Sequence, residues 1–478
     1  VQAPFIDREV ELSVLEREWS RPGLRLIVIY GRRRVGKTRL ILEWLRRHRG
    51  VYYEAAELSY EQLSREFAES AGRQLGIYVP GDDVVSAIEA IAGRGERLAV
   101  VLDEFQYLVE ADPSLPSRLM RSIDTVLSRT QLVLVLSGSS VSFFEKRLLG
   151  YKAPLHGRRT AQVRLRPLRL LEAWGFWPQM NPVDALRSYS VVGGTPAYLA
   201  QTFGSKNLGD VLEKVLSPGS PLLEEALSLL RQELREPRSY AALLKAVAEG
   251  ATKPGEAAQK AGIDPRSAHR YIEVLEELDI VERIRPLGYR RGQRILMRDP
   301  YFQFYYGYVA KVKSLIELGT LPETVAEARR VVEDYAPRVF ELWLRDHVGE
   351  LYSLGVVPTP PHEAGPWWHR GIEIDLVVRR PGESTTFIEA KWSDIDLEDA
   401  RRLLSALEKK SSKTGLAGPR NHYVVVARRV KDLDKPFTAL DEARIVADYS
   451  LVMETLRKKK ERSSPMTPHG ARAHGTGS

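Results

Sequence analysis

The eight residues GRRRVGKT (31–38) constrain the fold of this chain more than any other stretch. LRLIVIY (24–30) comes just before them, β-branched and mostly apolar, and reads as a short buried parallel strand. RLILEWLRRHR (39–49) follows, with Leu40, Ile41, Trp44 and Leu45 recurring at helical spacing. Strand, glycine-bounded loop and helix is the context that the GxxxxGK[ST] pattern requires. Gly31 and Gly36 let backbone N–H groups turn inward on an anion, and the helix N-terminus adds its positive dipole end. Lys37 then reaches the β and γ phosphates of a nucleotide, and Thr38 ligates Mg²⁺. The whole loop, with Arg32, Arg33, Arg34 and Val35, is expected to be the nucleotide-binding segment. The three arginine side chains are expected to point outward, toward a surface or a partner.

Two further strands support this reading. LAVVLDEFQYL (98–108) is an apolar run ending in two carboxylates. Asp103 is placed to hold the Mg²⁺ shell, and Glu104 to polarise the attacking water. QLVLVLSGSS (131–140) ends in a polar cluster, where Ser137, and after it Ser139, is the candidate to sense the γ-phosphate.

With FIDREVEL (5–12), HGRRTAQVRLRPL (156–168) and GGTPAYL (193–199), these motifs resemble the prokaryotic, mainly archaeal, ATPases related to AAA+ and STAND proteins. The resemblance implies ATP and Mg²⁺ as cofactors and a parallel α/β P-loop sheet with a helical lid over residues 1–235. It also implies that IDRE, with Asp7 and Arg8, lines the adenine side and that Pro196 lies near the base. Arg158 or Arg159 would be the arginine finger.

Residues 236–300 change character. Two helices closed by Gly250 and Gly262 precede a third, with Asp264 as N-cap, Pro265 at the first helical position, and Ile272, Leu275 and Leu278 facing inward. RPLGYRRGQRILM (285–297) then gives two short strands. Three helices and a hairpin predict a winged helix-turn-helix. It would offer Arg266, His269 and Arg270 from the third helix, and Arg290, Arg291 and Arg294 from the wing, to DNA phosphates and grooves. DPYFQFYYGYV (299–309), in the connector 301–328, reads as an apolar hinge core rather than a stacking surface.

From 329 to 455 the pattern is an amphipathic helix (331–355), two strands (371–380 and 384–392), a helix (396–409) and a strand (422–428), a small mixed α/β domain. Asp375 lies on the first of these strands, with Glu389 and Lys391 two positions apart on the second. Two carboxylates hold a hard divalent cation, and a lysine beside them stabilises charge developing on a phosphodiester. The arrangement resembles the PD-(D/E)xK nuclease superfamily, with a restriction-endonuclease-like fold, although Ile374 stands where the label has proline. The resemblance implies Glu341 as a further metal ligand. The region also looks like the domain of unknown function that accompanies these archaeal ATPases. Residues 456–478 are basic, then rich in Ser, Pro and Gly, and are expected to be a disordered tail.

Composition narrows the class. Hydrophobic residues are 43% and charged residues 28% of the 478, as in globular proteins. No uncharged apolar run reaches the roughly 18 residues of a membrane span. The acidic start lacks a signal-peptide pattern, so a cytoplasmic location is expected. The absence of cysteine excludes disulfides, thiolate zinc sites and cysteine nucleophiles. With scarce asparagine and abundant Arg and Glu, it also fits a thermophile. A net charge of +8 favours a polyanionic partner. The expectation is an ATP-hydrolysing switch that acts on DNA through a metal-dependent nuclease-like centre, as a monomer or an ATP-dependent homo-oligomer. Its rivals are a non-cleaving initiator-like or regulatory ATPase and a STAND-type scaffold that oligomerises with ATP.

Overall fold

A computed structural model describes residues 5–463. The Ser-, Pro- and Gly-rich end of the expected tail, from 464 on, lies outside the described residues. Residues 456–463, expected to begin that tail, instead continue the helix Tyr449–Ser463. Leu456 buries its side chain, which gives this stretch the apolar anchor that its basic composition hides. The chain divides into two compact units, Val1–Trp343 and Leu344–Ser478.

The first unit is built on a five-stranded parallel sheet in the order β2-β3-β4-β1-β5. Its strands are β1 (Arg25–Tyr30), β2 (Gly50–Glu54), β3 (Ala99–Asp103), β4 (Val133–Gly138) and β5 (Ala161–Arg164). Side chains alternate between two cores, as the two-residue period of a strand demands. Val28, Val100, Leu102, Leu134 and Leu136 pack against Leu63, Phe67, Ile88 and Leu119 of the helices on one face. Ile27, Ile29, Val101, Val133 and Val135 pack against Leu15, Leu40, Ile41 and Trp44 on the other. The result is a sheet covered on both faces, the arrangement that makes its strands read as continuous apolar runs. The phosphate loop and the polar ends of β3 and β4 then meet at the C-terminal edge.

Three helices, Pro237–Ala248, Pro254–Lys260 and Ala268–Glu277, lead into an antiparallel hairpin of β6 (Val281–Ile284) and β7 (Arg294–Met297). Ile272, Leu275 and Leu278 are buried as expected. The third helix starts later than its sequence suggests, because Asp264 shapes a turn. Its Oδ1 accepts from Arg266 N at 2.9 Å, and its carbonyl accepts from Ser267 N at 2.8 Å.

The expected boundary at 328/329 falls inside one continuous helix, Leu321–Asp346. The helices, the hairpin and the aromatic connector all belong to the same unit as the parallel sheet. Tyr301, Phe302, Phe304 and Tyr305 are buried. Tyr301 Oη donates to Leu222 O at 2.7 Å, and Gln303 Nε2 to Ala248 O at 3.0 Å. These bonds tie the connector to two earlier segments of the chain. The helix expected over 331–355 is interrupted at His347 and resumes as Val348–Leu354.

The second unit carries a six-stranded mixed sheet in the order β12-β13-β11-β10-β9-β8. Its strands are β8 (Glu363–His369), β9 (Ile372–Arg380), β10 (Ser384–Ile395), β11 (Arg420–Val430), β12 (Phe437–Ala439) and β13 (Arg444–Asp448). β9 and β10 are an antiparallel pair, whereas β10 and β11 run parallel and are joined by the helix Leu397–Ser411. Asp396 and Asp399 form a reciprocal cap at the start of that helix. Its Ala400 and Leu404 pack on Val425, Ala427 and Val446.

Candidate active site

In the first unit the loop between β1 and the helix Lys37–Leu45 walls a cavity of about 540 Å³. Gly36 takes φ +92°, a conformation that glycine reaches without strain. Gly31 is required for another reason. A Cβ there would lie 2.2 Å from the carbonyl oxygen of Leu165. Val35, Lys37 and Thr38 line the cavity with Ile6, Arg8, Glu104 and Pro196. Phe5, Phe176 and Gln232 line it too; Phe176 and Gln232 stand in no motif, so nothing in the sequence marked them. Asp7 is not among the lining residues. Arg8 turns back to donate to Val35 O at 3.1 Å and Arg166 O at 2.7 Å, so it braces the loop.

Lys37 Nζ donates to Gly31 O at 2.9 Å and Arg32 O at 3.2 Å. Burial pulls its pKa down, and the nearby carboxylates of Glu104 and Asp103 pull the other way. Thr38 Oγ1 and Tyr52 Oη each donate to Asp103 Oδ2 at 2.9 Å. A hydroxyl and a carboxylate in contact are a hard-oxygen pair suited to Mg²⁺. Glu104 takes φ +50° and is held by Gln106 Nε2 and by Ser139, whose Oγ donates to Oε2 at 2.9 Å. Ser139 is therefore the polar residue at the end of β4 that engages this centre. Ser137 is fully buried, and its Oγ has no hydrogen-bond partner.

The arginines depart most from expectation. Arg32 is buried and ion-paired with Asp299. Arg33 and Arg34 are partly exposed and line the cavity, while pairing with Glu233 and Glu225 respectively. Carboxylates from distant segments pair with all three, and draw Arg32 fully inward. Arg158 is bound by Asp124 at 2.7 and 2.8 Å, and neither Arg158 nor Arg159 is among the cavity's lining residues.

Residues 5–202 match a family model described as an ATPase domain predominantly from Archaea. This chain carries an ATPase domain. Residues 305–403 match a second family, described as archaeal and bacterial proteins of unknown function. An uncharacterized protein of Methanocaldococcus jannaschii is 29% identical over 433 residues, which is 89% of this chain and 96% of the relative. An uncharacterized ATP-binding protein of the same organism is 54% identical over 41 residues, 9% of this chain and 70% of the relative. Among solved structures, the ATPase is similar to a Walker-type ATPase of Pyrococcus abyssi, with 18% identity and a TM-score of 0.47, covering 63% of this chain and 96% of that one. It is also similar to the ORC2 protein of Aeropyrum pernix, with 16% identity and a TM-score of 0.43, covering 69% and 96%.

In the second unit Asp375 on β9 meets the middle of β10. Its Oδ2 accepts from Ala390 N at 2.7 Å. Lys391 Nζ donates to Glu389 Oε1 at 2.9 Å. The sequence did not mark Lys410, on the helix Leu397–Ser411, which donates to both Glu389 oxygens at 2.9 and 3.1 Å. It sits in a lysine run that reads as an ordinary solvated helix face. Burial, then the Glu389 charge, pushes the Asp375 pKa up to about 6, against the opposing backbone bond and lysines. Glu341 lies on the helix Leu321–Asp346 in the first unit. Among the described residues no group of three or more His, Asp or Glu side chains comes together as a metal site.

Arg266, His269, Arg270, Arg290 and Arg291 are exposed, and Arg294 is half-buried. No helix among the described residues is long and apolar enough to cross a membrane.

Proposed function

We propose that this ATPase is a nucleotide-driven switch acting on DNA, and that its second unit cuts phosphodiesters with the help of a divalent cation. In the first unit Thr38 and Asp103 would hold Mg²⁺, which neutralises phosphate charge when bound. Lys37 exchanges its two carbonyl partners for phosphate oxygens, and Glu104, once released by Ser139, orients water. The helices and hairpin of residues 237–297 act as a winged helix whose exposed arginines meet the DNA backbone.

The observation that carries the nuclease reading is the meeting of Asp375, Glu389 and Lys391 on neighbouring strands of one sheet. Two hard carboxylates fit a Mg²⁺ or Mn²⁺ ion, whose chemistry is to polarise a phosphoryl oxygen and activate water. Asp375 and Glu389 would hold it, and the two lysines, freed from Glu389, neutralise charge on the scissile phosphate. The test is incubation of plasmid and single-stranded DNA with Mg²⁺ or Mn²⁺, with and without ATP. Cleavage is expected, and its loss in Asp375→Ala and Lys391→Ala. Failure to cleave any substrate in any nucleotide state would leave a DNA-gripping ATPase instead.

A further inference from the structure

Arg32 is the second residue of the phosphate loop, yet its side chain is fully buried and the residue is not among those lining the cavity. Its guanidinium pairs with Asp299, donates to Thr195 Oγ1 at 2.5 Å and to Leu278 O at 3.3 Å, and lies 5.9 Å from the Phe302 ring. Three segments that look unrelated in the sequence thus close on one side chain. The first glycine of the pair before Thr195 is explained by this closure. Gly193 has φ +63°, and a Cβ there would stand 2.2 Å from Asp299 Oδ1. No side chain fits at 193 while Asp299 reaches Arg32.

The neighbouring bonds repeat the theme. Arg33 reaches Glu233 at 3.5 Å, and Arg34 pairs with Glu225, which also accepts from Tyr198 Oη at 2.9 Å. At the C-terminal end of the helix Ala268–Glu277, Arg164 donates to Glu277 O at 3.0 Å, and Lys146 pairs with the Glu277 carboxylate at 2.7 Å. Cations gathered at a helix C-terminus are stabilising. Arg32 is the one that belongs to the phosphate loop, and its own carbonyl accepts from Lys37 Nζ.

We propose that Arg32 is a positioning residue for ATP hydrolysis, fixing the phosphate loop to Asp299 and to the end of the helix Ala268–Glu277, so that the loop and the helix–hairpin segment shift together. Coupling of this kind is reciprocal: nucleotide that orders the loop also orders the segment. The inference rests on the ATPase activity and is independent of cleavage by the second unit.

The test uses the full chain. Removing one member of a buried pair strands the other charge and risks the fold, whereas replacing both with apolar residues of similar volume is often neutral. The variants are therefore Arg32→Met with Asp299→Leu, and separately Arg32→Lys. The lysine keeps the charge but cannot serve three acceptors with a planar fork. Both variants are expected to keep the near-UV circular dichroism of the parent. The double variant should lose on the order of 10²-fold in kcat, the scale of a displaced reactive geometry, with the lysine variant between it and the parent. A non-hydrolysable ATP analogue should slow amide exchange across residues 268–284 in the parent and leave the double variant unchanged there. Parent-like kcat and KM in a folded double or lysine variant would overturn the proposal. So would an exchange response that survives in the double variant. Lys37→Ala sets the zero of the ATPase assay, and a parent no more active than it overturns the ATPase assignment as well.

Discussion

Asp375 is the residue whose chemistry can be read most directly from its surroundings. Its carboxyl is buried beside Glu389, and its pKa is pushed up to about 6, above the ordinary aspartate range near 4. A raised folded-state value means that the native state holds the proton more tightly than the unfolded chain. The resulting stabilisation is complete below about pH 4 and is lost as pH rises through 6. A shift of roughly two units corresponds to about 3 kcal/mol. Asp375→Asn stays neutral at every pH and can still accept from Ala390 N. With divalent cations chelated, it should therefore be more stable than the parent at pH 8 by up to about 3 kcal/mol, with no difference at pH 4. Urea titrations at the two pH values measure this. Equal effects at both, or a less stable variant at pH 8, would contradict the environment described. Lys37, Thr38, Asp103 and Glu104 were legible at this scale because eight contiguous residues and one strand end carry their chemistry. Arg32 was not. Its partner Asp299 is 267 residues away, and only the folded chain brings the two together.

At the scale of elements, what could be read followed from periodicity. β1, β3 and β4 are apolar runs buried on both faces, and the helices beside them repeat their apolar residues every three or four positions. β5 is four residues long and mostly only half-buried, and β12 has three residues, so neither shows a run long enough to be read alone. Asp375 and Glu389 were legible together because a short hairpin, pairing Arg380 with Ser384, joins their strands. Lys410 enters from a helix whose facing side is set by packing. Gly194 makes the value of close approach measurable. Its carbonyl accepts from Leu168 N at 2.7 Å, and a Cβ on it would lie 1.8 Å from Leu168 O. The obstacle is backbone, which cannot swing away as a side-chain tip can. Gly194→Ala should cost about 3 kcal/mol or more, the upper range of overpacking effects. Gly219→Ala is the comparison: its φ is +83° with nothing within 4 Å, so only the left-handed backbone penalty of about 1–2 kcal/mol applies. Thermal denaturation of the two variants gives the ranking, and a reversed order would discredit the close approach at Gly194.

For the whole molecule, the organising fact is that two compact units each carry their own cluster of charged side chains. The nucleotide cavity, Thr38 and Asp103 lie in the first, and Asp375, Glu389 and their lysines in the second. A ligand that binds only the native state stabilises what it binds by RT ln(1 + [L]/Kd), about 2.7 kcal/mol at a hundredfold excess over Kd. ATP analogue with Mg²⁺ should therefore raise the unfolding temperature of the first unit. Mn²⁺ alone has no nucleotide to join in the first unit, so it should act on the second. Scanning calorimetry of the full chain is expected to show two transitions that respond to different ligands. Lys37→Ala should abolish the nucleotide response and spare the manganese one. Asp375→Ala should do the reverse, because the cation then loses one of its two carboxylates. A double dissociation of this kind separates the centres without any assay of cleavage or hydrolysis. One transition shifted equally by both ligands, in the parent and in both variants, would mean that the two clusters are not the independent binding centres assigned to them.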